Sequence, residues 1–332
     1  MNKLYNRVCN PDVVRQTFCG KDAVFIYGEP KWKREQERQK SRGDICFENI
    51  KPSNYISIEY EIGFHASEQI ICDSFCTVDN CGQKIEYASI EVEEMREYIQ
   101  SINASYKKIL VDITLLNTRF LGAFLALLPE FDWNTVCFCY TEPKEYLKRE
   151  GENDRFDLKN TTLGFDEIPN LETDGDITTE CEWVVFMGFE GERLQELEEE
   201  AAPGRKYVIP VMCIPAMNAE WHNFAMDANL DFIDRLEEHE GFKYVSAVNP
   251  FDVYNFLLSE KEGGVRMKIS PIGTKLTILG SIMYIIENSE DMLLTDNPFQ
   301  GNENTKEYGQ SFYYDLTYFV KRTTNRRFCK EK

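Results

Sequence analysis

Short, unbroken apolar runs recur along this chain, separated by longer stretches in which apolar positions return every three or four residues. Ala23–Tyr27, Ile109–Ile113, Val136–Tyr140, Trp183–Met187, Tyr207–Val211 and Val265–Ile269 read as strands. Ile109–Ile113 and Val136–Tyr140 are continuous runs of a length that suits a parallel sheet covered on both faces. Tyr55–Phe64 alternates apolar and acidic residues and reads as a half-buried strand. Ile85–Ile90 is a weaker strand, and Tyr244–Ala247 a short one. Helical spacing marks Val92–Ile102, Gly191 to Glu200, Asn218–His239 and Pro250–Leu258, while Phe312–Val320 suits an edge strand or a short helix. Strand and helix alternate throughout, which predicts an α/β fold of two Rossmann-like halves, each a mostly parallel sheet flanked by helices. The expected organisation is an N-terminal α/β domain over residues 1–150, a polar linker over 151–180 and a C-terminal α/β domain over 181–332.

One pattern occurs twice. Ile113-Thr114-Leu115-Leu116-Asn117-Thr118-Arg119 and Ile269-Ser270-Pro271-Ile272-Gly273-Thr274-Lys275 both fit I-[ST]-x-x-[NG]-T-[RK]. Each copy follows a strand run and precedes an apolar helical stretch, and each is followed by a second strand expected to end at a proline. Ile113 to Pro143 is 30 steps and Ile269 to Pro298 is 29, so the whole strand–turn–helix–strand unit recurs. Ligands of open α/β sheets bind outside the carboxyl ends of the strands, where these turns are expected to lie.

Composition narrows the partners. The chain has 332 residues, natural for two domains; 37 basic against 57 acidic side chains leave a net charge of −20. That balance disfavours general affinity for nucleic acid or anionic membrane. Two segments run the other way: Lys31–Arg42 carries six basic residues and Lys321–Lys332 another six. The bland reading is a solvated helix and a loose terminus; the sharper one allows direct nucleic-acid contact through Lys31–Arg42. A polar amino terminus, eleven scattered cysteines and the lack of a long apolar stretch predict a reduced cytoplasmic protein with no membrane association. Cys72, Cys76 and Cys81 form a cluster without the paired spacing of a zinc site. No metal and no cofactor are expected.

The candidate site residues gather at the turns. In Ser270–Lys275, proline and glycine permit a tight turn whose N–H groups open a helix, Thr274 adds a hydroxyl and Lys275 a charge. In the first copy, Thr114, Asn117, Thr118 and Arg119 take the same places, with Asn in place of Gly. A third turn, Gly188-Phe189-Glu190-Gly191-Glu192-Arg193, offers Gly188, Gly191 and Arg193, although its two glutamates favour the positive end of the following helix for themselves. Neither a Walker loop nor a dinucleotide fingerprint is present. Asp112, Glu190 and Asp296 lie near expected strand ends and are the candidates for catalysis. Of His65, His222 and His239, His222 is the one to favour, because Trp221-His222-Asn223 reads as the start of a helix near the strand ends.

A strand, a Gly-Thr-Lys turn and an apolar helix late in an α/β domain resemble the Gly-Gly-Thr-Lys-like motif of CRISPR-associated Rossmann-fold (CARF) sensor domains. The likeness is centred on residues 265–298, and this chain reads Pro-Ile-Gly-Thr-Lys. The resemblance implies a pocket for cyclic oligonucleotides, contacts from Ser270, Gly273, Thr274 and Lys275, a homodimer or protein partner, and an antiviral-defence setting. The expected function is therefore a nucleotide or oligonucleotide-like anion sensor acting with a partner. Two alternatives stand beside it: a nucleotide- or nucleoside-processing hydrolase, and a structural subunit of a multiprotein complex.

Overall fold

The computed structural model describes residues 3–4, 7–29, 42–65, 70–146, 162–173, 181–189, 191–201, 208–218, 220–236, 241–261, 264–298 and 305–330. The fold is α/β, with two open parallel-rich sheets flanked by helices. The chain divides into two compact units, one of Arg7–Pro143 with Glu307–Lys332 and one of Met1–Asn6 with Lys144–Lys306.

In the first unit the strands are β1 (Ala23–Gly28), β2 (Tyr55–His65), β3 (Ile70–Asp79), β4 (Lys84–Tyr87), β5 (Lys108–Asp112), β6 (Thr135–Tyr146) and, returning from the far end of the chain, β14 (Thr305–Asp315). Their spatial order is β14-β6-β5-β1-β2-β3-β4. From β6 through β2 the pairing is parallel, and β3 and β4 add antiparallel strands. Parallel strands cannot be joined by a tight turn, so helices carry the chain back. They are α1 (Pro11–Phe18), α2 (Arg42–Ile50), α3 (Val92–Ser105), α4 (Thr118–Leu127) and α10 (Thr317–Lys330). The sheet is covered on both faces, and Ala23–Ile26 and Ile109–Val111 are almost wholly inaccessible. That burial is why these strands read as unbroken apolar runs.

The second unit holds a five-stranded sheet of order β10-β9-β8-β11-β12, parallel throughout. Its strands are β8 (Glu182–Met187), β9 (Val208–Cys213), β10 (Lys243–Val245), β11 (Met267–Pro271) and β12 (Met292–Leu293). Helices α5 (Gly191–Ala201), α6 (Trp221–Ala228), α7 (Leu230–Asp234), α8 (Pro250–Glu260) and α9 (Lys275–Glu287) connect them. A small antiparallel pair, β7 (Thr162–Asp166) with β13 (Thr295–Pro298), completes this unit.

The order of the strands fixes where a ligand has room. From β8 the chain winds outward through β9 and β10, then returns to the other side of β8 as β11 and β12. The loops after β8 and β11 therefore leave in opposite directions and open a crevice between them, the switch point of an α/β sheet. The first unit repeats the scheme with β1 winding to β2 and returning as β5 and β6.

Several sequence expectations change. Residues 307–332 belong with the first unit, because β14 extends the edge at β6 and covers an otherwise open strand. Thr141 Oγ1 and Ser311 Oγ lie 2.8 Å apart, and Leu316 N–H donates to Val136 O at 2.9 Å. The supposed loose tail is α10, in which Val320 and Thr323 are buried and the Thr324 hydroxyl donates to Pro129 O at 2.5 Å. The region expected as linker contributes β7 to the second unit. Residues 31–41 of the basic segment lie outside the described residues. Among the described residues no helix is long and apolar enough to cross a membrane.

Candidate functional site

The crevice beside β8 is a cavity enclosing about 670 Å³ of space between atoms, its open mouth included. It is built wholly from the second unit, and every strand end around the switch point contributes. Met187, Gly188 and Phe189 come from the end of β8, Arg193 from α5, Cys213, Ala216 and Met217 from the β9 loop, Trp221, His222 and Ala225 from α6, Ala247 from the β10 loop, and Ile272, Gly273 and Thr274 from the β11 loop. Tyr146 closes one side.

Backbone approach sets the shape of the floor. A Cβ on Gly188 would stand 2.2 Å from Ile272 O, so the β8 and β11 loops touch main chain to main chain. Only glycine permits this contact. Asn229 Nδ2 donates to Gly188 O at 2.8 Å and to Ala225 O at 2.6 Å, tying the β8 loop to α6. A Cβ on Gly191 would fall 1.7 Å from Ala228 O. Gly191 thus lets the start of α5 pack on the end of α6, a packing role that its phosphate-loop look did not suggest. The first unit has the same device: a Cβ on Gly28, the last residue of β1, would lie 2.7 Å from the Leu115 carbonyl and from Leu116 N.

Three rings form one wall. Tyr146 and Trp221 have centroids 4.9 Å apart, Tyr146 and Phe189 5.4 Å, and Phe189 and Trp221 5.8 Å. Such a cluster offers faces and edges for stacking a flat heteroaromatic ring. Arg193 and His222 bring nitrogen donors to the same cavity. The Arg193 guanidinium also holds Asp296 at 2.7 Å, which joins α5 to β13 and fixes the cation in place. Burial pushes the Cys213 thiol up to about 12, so it faces the cavity as a neutral group.

The sequence candidates separate into three sets. Gly188, Arg193, Gly273 and Thr274 line the cavity together. Asp296 is brought to them through Arg193. Thr274 also caps α9: its Oγ1 accepts from Thr277 N–H at 3.3 Å and its hydroxyl donates to Ala247 O at 3.1 Å. Ser270 lies beneath this surface, fully buried, and accepts from Trp183 Nε1–H at 2.9 Å. Lys275 is the first residue of α9, half-buried and outside the cavity lining. Glu190 and His239 lie outside the described residues.

The first copy of the pattern sits in the other unit and is built into its interior. Arg119 is a buried ion-pair partner of Asp73, with Nε and Nη2 at 2.9 and 2.8 Å from Oδ2, and the Tyr60 hydroxyl donates to the same carboxylate. Thr114 Oγ1 accepts from Thr141 N–H at 2.9 Å, Asn117 caps α4, and Thr118 opens that helix with little exposure. Asp112 is buried at the end of β5 and accepts from Thr114 N–H at 2.9 Å. The equivalence in sequence therefore ends in two different environments.

Sequence reasoning missed Tyr146, Cys213 and Met217 and gave Trp221 and His222 only passing notice. Their signal was positional: each follows a strand end or faces one, and no motif marks them. No protein-family model and no curated protein matches this chain.

Proposed function

We propose that this protein is a nucleotide-binding sensor whose ligand, a nucleotide or oligonucleotide-like anion, occupies the switch-point cavity of residues 144–306 and whose bound state is read by a protein partner or a second copy. One observation supports this reading above the others: a cavity at the switch point joins an aromatic trio to an ordered arginine and the Gly273 turn of the β11 loop at a helix start. A base stacks on Tyr146, Phe189 or Trp221, while the anionic part meets Arg193, His222 and the amides around Gly273. The antiviral-defence setting rests on the CARF resemblance of the β11 turn alone. Nucleotide hydrolysis is the second outcome to watch, since Asp296 adjoins Arg193.

Thermal-shift screening of mononucleotides, dinucleotides and cyclic oligonucleotides against wild type, His222→Ala and Lys275→Ala tests the reading. Wild type should gain several degrees with at least one nucleotide at saturating concentration, as ligand binding to the folded state requires. His222→Ala should lose most of that gain. If no nucleotide shifts the wild type, the sensor reading fails; if the nucleotide binds and is cut, the protein is a hydrolase.

A further inference from the structure

The first unit carries a second cluster of reactive side chains that no motif announces. Asp112 ends β5, and its register partner on β6 is Cys139. Cys46 reaches the same point from α2, its sulfur 2.9 Å from that of Cys139. One ligand atom from each of Cys46, Asp112 and Cys139 lies within 4.8 Å of the others. All three are buried, with exposures of 0%, 1% and 0%. The Tyr313 hydroxyl lies 3.9 Å from the Cys46 sulfur. The surroundings are apolar: Phe25, Leu110, Val14, Phe18 and Ile50 pack in the same core.

Two thiols and a carboxylate converging in a dry core are an unusual use of space. The carboxylate is aimed, because Thr114 N–H holds one of its oxygens. A thiophilic divalent cation would bind the two cysteines as thiolates, releasing their protons.

We infer that Cys46, Cys139 and Asp112 form a binding site for a thiophilic divalent cation of the zinc class. Sulfur and oxygen donors in this combination suit zinc, whose bonds to sulfur and carboxylate oxygen are about 2.3 and 2.0–2.2 Å. Tetrahedral geometry at those lengths separates two sulfurs by roughly 3.8 Å. Binding therefore requires the two sulfurs, now 2.9 Å apart, to separate by about 0.9 Å. The site ties α2 to the end of β5 and the middle of β6, so metal loading and folding of this unit are coupled. It is independent of the nucleotide cavity, which is built from the other unit.

The test uses the full chain, reduced and metal-free, titrated with Co²⁺ as a spectroscopic stand-in for zinc. The wild type should develop a thiolate-to-cobalt charge-transfer band that saturates at one equivalent and is abolished by one equivalent of Zn²⁺. Cys139→Ser and Cys46→Ser should lose most of the band. Cys9→Ser should keep it, although Cys9 and Cys137 form a neighbouring sulfur pair at 3.9 Å. Absence of a band in the wild type overturns the proposal whatever the variants do. So does a band that survives both Cys139→Ser and Cys46→Ser, or one that follows Cys9 and Cys137 instead. Wild-type melting with Zn²⁺ gives a second readout: an upward shift is expected, and none at saturating zinc also overturns it.

Discussion

Arg119 shows how far a single residue can depart from its motif. As the cation of a strand-end turn it invited a phosphate, yet its guanidinium is buried against Asp73. Removing one member of a buried ion pair strands the other, at a cost of about 3–5 kcal/mol. Arg119→Met should therefore lower unfolding stability by that amount in urea, and Asp73→Leu on the same background should restore most of it. A variant as stable as the wild type would mean that the pair is not desolvated. No motif warns of this, because Asp73 lies 46 residues away on a strand that the apolar pattern did not reveal. Residues 70–79 mix Asp, Ser and Thr among their apolar positions, and β3 has no clean period to read. The same distance problem hid Cys46, Asp112 and Cys139: three elements carry them, and only the fold makes them neighbours.

At the scale of elements, the core strands were the most legible part of the chain. β1, β5, β6 and β8 are central and buried on both faces, and apolar runs are what that position requires. Short helices and peripheral strands were harder: α1 and α2 carry few apolar residues, β3 mixes polar with apolar positions, and β14 with α10 blurred into one alternating stretch. The repeated heptapeptide is instructive because the helix begins at different places in its two copies. Asn117 caps α4 by accepting from Arg119 N–H and Phe120 N–H, so that helix starts at Thr118. In the second copy glycine cannot cap with a side chain, the cap passes to Thr274, and the helix starts at Lys275. Asn117→Ala and Thr274→Ala should each cost about 0.5–2 kcal/mol of stability, measured by denaturant unfolding. Equal stability of both variants and the wild type would contradict the cap assignment. Loss of binding in a Thr274 variant must accordingly be read against its lost cap, which is why His222 is the cleaner probe.

The whole molecule is two α/β units of related plan with unlike interiors at the corresponding place. In each, a glycine ends or directly follows the strand at the switch point and packs against the loop after the returning strand: Gly28 on Leu115–Leu116, Gly188 on Ile272. Around Gly188 the loops stand back to leave a cavity, whereas the first unit fills its turn with Arg119, Asp73 and Tyr60. The doubled pattern was legible as architecture, and its division of labour was not, because that depends on side chains brought in from other strands and helices. Trp221 gives the most direct test of the ligand site, since among the described tryptophans Trp133 and Trp183 are buried in the cores and Trp221 lines the cavity. Intrinsic fluorescence titrated with the stabilising nucleotide should fall saturably in the wild type, and the change should be lost in Trp221→Phe. Unchanged fluorescence in the wild type across the nucleotides tested, or a change that persists in full in Trp221→Phe, would contradict the placement of the ligand at the switch point of residues 144–306.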